Sequence, residues 1–198
     1  GAVTSYSYDA ANRRVAVSDP LGNTTQTAFD QRGNISDITA ANGTITHFDF
    51  DQLGRQVAVT YNYRPGFEPN ADTNVRYEYT YNAVGNRVAV RDANDHNINY
   101  SYDALNRLVG KTDSLGNTWS YAYDLAGRKI SETDAKGTTI NYSYDDAGQL
   151  RTIDYPEPDA DVSYVYDAAG QRTSMADGLG TTTWSYDNLG RPTTITDE

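Results

Sequence analysis

Apolar and polar positions alternate along most of the chain in short runs, and a turn-forming group of residues ends each run. Residues 128–133 and 138–144 are two such runs, followed by turns at residues 134–137 and 145–148. Short runs rich in Val, Ile, Thr and Tyr between Asp/Gly turns are typical of antiparallel β-hairpins. The pattern therefore predicts an all-β fold built from repetitive antiparallel hairpins.

Side chains of a strand point alternately to its two faces. On the second strand of a hairpin, Trp119, Tyr121 and Tyr123 share one face, and Val88 and Val90 show the same spacing on a first strand. The positions between them are mostly Thr, Ser, Asn, Arg and Asp. We therefore predict a sheet with one aromatic and aliphatic face and one polar face.

The hairpin pattern recurs along the whole chain. An aromatic residue stands before every second turn, and these marker aromatics are Tyr8, Phe29, Phe50, Tyr81, Tyr102, Tyr123, Tyr144, Tyr166 and Tyr186. By subtraction, successive markers lie 21, 21, 31, 21, 21, 21, 22 and 20 residues apart. Such a period is the signature of stacked supersecondary units. Residues 1–198 are predicted to form a single array of about nine repeats, in which the markers pack within the sheet.

The fourth residue after each marker is a glycine or an asparagine. These residues are Asn12, Gly33, Gly54, Gly85, Asn106, Gly127, Gly148, Gly170 and Gly190. Glycine adopts positive φ without steric cost, and Asn tolerates it better than most residues. We therefore predict that all nine are structural turn residues with positive φ.

Two segments interrupt the period. The interval from Phe50 to Tyr81 contains ten extra residues, including Pro65, Gly66 and Pro69. Prolines and glycine oppose a regular central strand. An insertion loop near residues 61–74 is therefore predicted, as an elongated hairpin tip or an Ω-like loop, with a recognition element as the alternative. A shorter Pro-rich turn is predicted at residues 154–159.

The phrase Tyr-Asp-x-x-Gly-Arg is intact at residues 123–128 and 186–191, and residues 102–107 have Asn in place of Gly. In its nine spaced copies this phrase resembles the YD repeat of the RHS (rearrangement hot spot) family. That family includes bacterial polymorphic toxins, insecticidal toxin complex subunits and the animal teneurins. The resemblance implies a curved, spiralling sheet that forms a segment of an RHS/YD-repeat shell.

The same resemblance implies a function. In bacterial members the shell encloses a C-terminal toxin polypeptide, so we expect a non-catalytic structural module that helps to encapsulate and deliver an effector. Its partners would be further YD repeats of a parent chain and the enclosed effector polypeptide, in a secreted or cell-surface bacterial protein. The chain departs from complete members, since no cargo-like tail follows Glu198 and no self-cleaving core region is recognisable. Asp19 and Pro20 lie in a regular turn, where Pro is ordinary β-turn chemistry.

An extracellular adhesin scaffold is the alternative function, because a comparable shell serves adhesion in teneurins. An exposed row of tyrosines with Trp119 and Trp184 would then stack against sugar rings, so glycans or other proteins would be the partners. Open edge strands at both ends of a hairpin array would allow self-association.

Composition narrows the partners. The chain has 27 acidic and 16 basic side chains, a net charge of -11, which repels nucleic-acid phosphates and anionic lipids. No stretch approaches the roughly 20 apolar residues of a membrane span. Disorder is the alternative for so polar a chain, but 13 of its 17 tyrosines stand at a marker or two residues before one, a periodicity that disordered chains lack. We predict no nucleic-acid partner and no membrane span.

Few residues suit catalysis or metal binding. The chain has no Cys, no Ser in a nucleophile elbow and only His47 and His96 as groups that titrate near neutrality. We interpret both as solvated strand or turn residues, and acidic pairs such as Asp145 and Asp146 as turn residues. Residues 92–97 place oxygen atoms at alternate positions, as in a calcium loop, but the required Gly and Glu are missing. We predict no enzyme activity, no cofactor and no metal site.

Overall fold

The computed structural model describes the whole chain from Gly1 to Glu198 as strands joined by turns and loops. It contains no helix of the length and apolarity that crossing a membrane would require. Contacts between Cα atoms divide the chain into two compact units, Gly1–Tyr100 and Ser101–Glu198. The prediction of an all-β fold of antiparallel hairpins is confirmed.

The first unit is a meander in which consecutive strands pair antiparallel. Its strands are β1 (Ser5–Tyr8), β2 (Arg14–Ser18), β3 (Thr24–Phe29), β4 (Ile35–Thr39), β5 (Ile45–Phe50), β6 (Gln56–Tyr61), β7 (Val75–Tyr81), β8 (Arg87–Arg91) and β9 (Asn97–Tyr102), whose last two residues fall in the second unit.

The second unit repeats this arrangement, again with antiparallel pairing of consecutive strands. Its strands are β10 (Leu108–Thr112), β11 (Thr118–Tyr123), β12 (Lys129–Thr133), β13 (Thr139–Tyr144), β14 (Leu150–Asp154), β15 (Val162–Tyr166), β16 (Arg172–Asp177), β17 (Gly180–Tyr186) and β18 (Pro192–Asp197).

Two kinds of turn alternate along both units. We call the turns that follow the marker aromatics repeat turns, and those at the opposite ends of the strands distal turns. At a repeat turn the register shifts by one residue at the marker, so that Tyr123 lies opposite Lys129 while Ala122 lies opposite Ser131. Such a bulge is the usual companion of a turn that ends in a residue with positive φ.

The strand register produces the predicted aromatic and aliphatic face. Cross-strand pairs on this face include Tyr6 with Val17, Phe48 with Val59, Tyr79 with Val90, Tyr142 with Ile153 and Tyr164 with Met175. In the aliphatic row, Lys111 and Glu132 take the place of an apolar side chain. Ala58 and Val59 are the buried hydrophobic residues, and most other strand residues are half-buried. Stability in such meanders therefore depends on cross-strand pairs, each contributing about 0.2–1 kcal/mol.

The long loop of residues 62–74 joins β6 to β7 and is closed by the side chain of Asn74. The Oδ1 atom of Asn74 accepts a hydrogen bond from the backbone N–H of Arg64 at 2.7 Å, and its Nδ2 donates to the carbonyl of Phe67 at 2.6 Å. Asn74 is 9% exposed and has a φ of 55°, while Asn62 at the other end has a φ of 48°. Two asparagines with positive φ thus bring the ends of the loop together.

Candidate functional site

The nine predicted turn residues all lie at positive φ, from 61° at Asn12 to 93° at Gly85. The backbone N–H of each donates to the carbonyl of the first turn residue at 2.9–3.1 Å. Only glycine, and less readily asparagine, adopts this backbone conformation at low cost. The repeat turns therefore have one common geometry, whichever of the two residues occupies the position.

A carboxylate closes most of the repeat turns from within. At Asp103, Oδ1 accepts hydrogen bonds from the backbone N–H groups of Leu105 and Arg107 at 2.9 and 3.0 Å. The second oxygen, Oδ2, accepts from Nε of Arg107 at 2.7 Å. The backbone hydrogen bond from Arg107, together with its side-chain hydrogen bond, lowers the pKa of Asp103. The carboxylate thus stabilises the turn in its ionised form.

The arginine of the turn also contacts the next repeat. The guanidinium of Arg107 lies 4.7 Å from the ring centroid of Tyr123, and its Nη1 donates to the carbonyl of Asp124 at 3.1 Å. In return, the Tyr123 hydroxyl donates to the carbonyl of Leu108 at 2.9 Å. We call this set of contacts the inter-repeat clamp: the arginine of one repeat turn bound to the marker tyrosine and first turn residue of the next.

The inter-repeat clamp recurs elsewhere in both units. Arg55 lies 4.8 Å from the ring centroid of Tyr81, whose hydroxyl donates to the carbonyl of Gln56 at 2.8 Å. Arg128 lies 4.7 Å from the ring centroid of Tyr144, whose hydroxyl donates to the carbonyl of Lys129 at 2.8 Å. A hydrogen bond of this kind contributes about 1 kcal/mol and a cation–π contact about 0.5–1 kcal/mol. Each clamp is modest, but its repetition couples neighbouring repeats.

Some repeats carry only part of the clamp. Arg13 lies 4.2 Å from the ring centroid of Phe29, which has no hydroxyl to donate. Gln149 occupies the arginine position of its repeat, and its Nε2 donates to the carbonyl of Gly170 at 3.0 Å. A side chain of the turn therefore reaches the following repeat even where arginine or tyrosine is replaced.

A second set of cations lies over several of the aromatic residues that stand two or four positions before the markers. Lys111 lies 3.7 Å from the ring centroid of Trp119, Lys129 lies 4.6 Å from that of Tyr142, and Arg172 lies 4.2 Å from that of Trp184. These three rings belong to the row that was predicted from sequence as a surface for sugars or for packing. Their faces are shared with cations of the same chain.

Glu132 binds both members of one of these cation–aromatic pairs. Its carboxylate accepts hydrogen bonds from Nζ of Lys129 and from the hydroxyl of Tyr142, both at 2.7 Å. The Lys129 hydrogen bond, followed by that of Tyr142, lowers the pKa of Glu132. The two charged residues in the aliphatic row are thus partnered, Lys111 by an indole ring and Glu132 by an ammonium and a phenol.

His47 is the centre of a charged network on the polar face of the first unit. Its Nδ1 lies 2.7 Å from Oδ1 of Asp37 and its Nε2 lies 3.3 Å from Oδ1 of Asp49, while its ring stacks on Tyr63 at 4.5 Å. The side chain is 24% exposed, so it is half-buried and paired, whereas the sequence suggested a solvated histidine. The network continues through Arg76, Glu78 and Arg91.

The other candidate chemical positions belong to turns. Oδ1 of Asp92 accepts hydrogen bonds from the backbone of Asn94 and His96 at 2.8 and 2.9 Å, so the calcium-like segment is a distal turn. The structure has no group of three or more acidic or histidine side chains arranged to hold a metal ion. Most acidic side chains of the repeats are spread along the turns, and others lie in strands.

Sequence reasoning identified the marker aromatics and the turn residues but assigned no role to the arginine that follows the turn. The available signal was its recurrence at one position, as in Arg55, Arg107 and Arg128. Its contacts with the following repeat are separated by 17 to 27 residues in sequence, so the turn alone does not reveal them.

The repeats are matched by the model of a known protein family. The family model described as RHS Repeat matches residues 1–24, 29–64, 102–139 and 162–198. No curated protein sequence matches the chain significantly.

Solved structures with a similar fold come from Tc toxins. The crystal structure of TcdB2-TccC3-TEV aligns with 97% of this chain and 13% of its own, at 15% identity and a TM-score of 0.66. That of TcdB2-TccC3 aligns with 98% of this chain and 13% of its own, at 16% identity and a TM-score of 0.64. The Photorhabdus luminescens Tc holotoxin pore with a TccC3 mutation aligns with 98% of this chain and 12% of its own, at 15% identity and a TM-score of 0.63. These likenesses show the fold, and this chain spans 12–13% of the length of those proteins.

Proposed function

Because this chain belongs to the RHS repeat family, we propose that it is a non-catalytic segment of a larger β-shell. The shell would enclose an effector polypeptide and help to deliver it. The proposal places the chain in a secreted bacterial protein, with further repeats and the enclosed polypeptide as its partners. Two findings support it: the fold is shared with Tc toxin proteins, and the chain spans only a small part of their length.

The observation that carries the proposal is the inter-repeat clamp. A wall has to keep successive hairpins in a fixed register, and contacts from one repeat to the next supply that continuity. Arg107 and Arg128 each bind the marker ring and the backbone of the next repeat, so both serve the sheet itself. The chemistry of the repeats is thus directed at holding neighbours together.

Limited proteolysis of the longer protein that contains this segment tests enclosure. We expect the enclosed polypeptide to resist a protease while the wall is intact, and to be cleaved at least about tenfold faster when Arg107 and Arg128 are both replaced by Ala. Replacing Asn117 and Thr138, the equivalent positions of two distal turns, by Ala is the matched control. Equally fast cleavage of the polypeptide before any substitution would contradict the proposal.

The absence of catalysis is part of the proposal and has its own test. We expect no turnover of glycoside, ester or peptide substrates by the isolated chain. Hydrolysis that is lost on replacing both Asp145 and Asp146 by Asn, while the thermal unfolding midpoint is unchanged, would instead establish an enzyme.

Self-association is a second candidate, favoured by the exposed edge strands. All residues of β1 and of β18 are exposed, and unpaired strand edges are templates for pairing with another chain. Light scattering and small-angle scattering over a concentration series distinguish the two cases. A monomer at all concentrations supports a wall segment, whereas oligomers that grow with concentration support a self-associating adhesin.

A further inference from the structure

An open cavity of about 620 Å³ lies where β6 and β7 meet the loop of residues 62–74. Three tyrosines, Tyr61, Tyr77 and Tyr79, line it together with Asn62 and Asp72 of the loop. We call the three tyrosines the tyrosine cage.

Two rings of the tyrosine cage stand at right angles. The centroids of Tyr61 and Tyr77 are 6.0 Å apart and their planes are inclined by 81°. Tyr61 is 50% exposed, so part of its ring is available to a ligand. Two aromatic walls at this angle form a corner rather than a flat platform.

Other aromatic rings of the sheet lie beside cations of the chain. Lys111, Lys129 and Arg172 lie over Trp119, Tyr142 and Trp184 at 3.7–4.6 Å. The face of an aromatic ring carries partial negative charge, so it attracts a cation. Several half-buried rings of the sheet are thus paired with ammonium or guanidinium groups.

The tyrosine cage lacks most of this pairing. No cation of the chain lies over Tyr61 or Tyr77. Of the three rings, only that of Tyr79 has a cation near it, Arg87 at 5.5 Å from the ring centroid. Arg76 is the nearest basic residue in sequence to Tyr77, but its guanidinium binds Asp49 at 2.7 Å and Glu78 at 3.0 Å on the polar face. Two ring faces of the cage therefore have no cation of the chain over them.

We infer that the tyrosine cage binds an alkylammonium cation supplied from outside the chain. Right-angled aromatic walls beside a carboxylate are the arrangement that recognises quaternary ammonium and lysine ammonium groups. Asp72 supplies the carboxylate, and the net charge of -11 attracts cations over a longer range. The source is either a lysine side chain of a polypeptide or a quaternary ammonium headgroup. This inference is independent of the proposed shell function.

A titration followed by chemical shifts of the backbone amides tests the inference. The probes are choline, Nα-acetyl-lysine amide, the neutral choline isostere 3,3-dimethylbutanol and cellobiose. We expect saturable shifts confined to residues 61–79 with the two cations, and at least about tenfold weaker binding of the neutral isostere, since the charge supplies the attraction. Tighter binding of choline than of the lysine amide indicates a headgroup, and the reverse order indicates a polypeptide.

Equal binding of choline and its neutral isostere would overturn the inference, because the site would then recognise shape alone. Binding of cellobiose without binding of either cation would overturn it in favour of a sugar site. Absence of saturable shifts with both cations, up to about 50 mM, would also overturn it, since aromatic cages bind such cations well below that concentration.

Variants separate the cage from general effects on folding. Tyr61→Leu is expected to weaken choline binding at least about tenfold, whereas Tyr61→Phe retains the ring and the binding. The matched control is Tyr6→Leu, because Tyr6 is 53% exposed, close to the 50% of Tyr61, but already has Arg14 at 5.9 Å. Asp72→Asn, in the exposed loop, is expected to weaken binding and to reduce its salt dependence without a change in thermal unfolding. Equal loss of binding in Tyr6→Leu and Tyr61→Leu would contradict a localised site.

Discussion

The repeat turns and the distal turns have the same local chemistry but differ in what they contribute to neighbouring repeats. At the repeat turn of Asp124, Arg128 donates to the carboxylate at 2.6 Å and also lies over the ring of Tyr144. At the distal turn of Asp134, the carboxylate accepts from the backbone of Lys136 and Thr138 at 2.8 and 2.9 Å. Threonine at the position of the arginine is too short to reach another repeat. One end of the strands therefore carries the inter-repeat clamp, whereas the turn of Asp134 at the other end closes its hairpin locally.

Length variation follows this difference. All nine repeat turns have the same number of residues and the same pair of backbone hydrogen bonds. The distal turns instead include the loop of residues 62–74, the loop of residues 155–161 and the tight turn at residues 178–179. Extra residues at a distal turn lengthen a hairpin at small entropic cost, whereas at a repeat turn they would separate the groups of the clamp. Insertions thus occur at the end of the strands that lacks the inter-repeat clamp.

Insertion of Gly-Ser is expected to give the largest difference in stability between the two kinds of turn. Placed between Ala126 and Gly127, it separates Arg128 from Asp124 and removes its contacts with Tyr144 and the following turn. Since two or three contacts of about 1 kcal/mol each are lost, we expect the free energy of unfolding to fall by about 2–3 kcal/mol. The same insertion between Ala135 and Lys136 is expected to cost about 1 kcal/mol or less. Urea denaturation measures the free energy of unfolding of both insertion variants. Equal losses would contradict the distinction between repeat turns and distal turns.

Removal of single side chains is expected to give smaller effects in the same order. Arg128→Ala removes the cation over Tyr144, at 4.7 Å, and the hydrogen bonds to Asp124, for an expected loss of about 1–2 kcal/mol. Thr138→Ala, at the equivalent distal position, is expected to cost less than about 0.5 kcal/mol. Arg128→Lys restores the charge but not the forked geometry, so partial recovery is expected. The unfolding midpoint in urea decides each case, and a Thr138→Ala loss as large as that of Arg128→Ala would contradict the comparison.

Features that depend on local chemistry were predictable from the sequence. The alternation around Tyr123 predicted its strand and face, and Gly127 or its equivalents predicted positive φ, because both follow from steric limits on a few consecutive residues. The insertion near residues 61–74 was visible as a break in a regular period. A repeated sequence multiplies such local signals, so that several weak ones become one strong one.

Features that depend on the neighbouring repeat were not predictable in the same way. The guanidinium of Arg107 binds a carbonyl 17 residues ahead, and only the strand register places the two together. The pairing of Lys111 with the face of Trp119 also requires the register. His47 was assigned to solvent because its position alternates with Phe48, but the register sets it between Asp37 and the strand neighbour Asp49.

The hydroxyl groups of the marker tyrosines are a part of the clamp that can be removed alone. Tyr144→Phe removes one hydrogen bond, from the hydroxyl to the carbonyl of Lys129 at 2.8 Å, and keeps the ring under Arg128. We expect a loss of about 1 kcal/mol in the free energy of unfolding. Tyr121→Phe, on the same face two residues before a marker, is the control and is expected to change stability by less than about 0.5 kcal/mol. Equal effects in thermal or urea unfolding would mean that the clamp hydroxyl adds nothing.

Acid titration is the one test in which repeat turns and distal turns are expected to respond alike. In the repeat turn, the backbone hydrogen bond from Arg128 lowers the pKa of Asp124 below the ordinary value of 3.8. In the distal turn, the backbone hydrogen bond from Thr138 lowers the pKa of Asp134 in the same way. The unfolded chain therefore binds protons at a higher pH than the folded chain. The stability that both carboxylates contribute is complete above that ordinary value and is lost as the pH falls through the lower folded pKa values. Asp124→Asn and Asp134→Asn should each reduce the loss of stability at low pH.

The two aspartate variants should differ only in their coupling to the arginine. Asn is a fair substitute, because Asn82 already begins one repeat turn and its Oδ1 accepts from the backbone of Val84 and Asn86 at 3.1 and 2.9 Å. Combined with Arg128→Ala, Asp124→Asn is expected to give a smaller loss than the sum of the single losses, since both substitutions remove the same ion pair. Asp134→Asn with Arg128→Ala is expected to be additive, because the two residues lie at opposite ends of β12. Additive losses in both cycles would mean that the carboxylate of the repeat turn, like that of the distal turn, acts only on its own backbone.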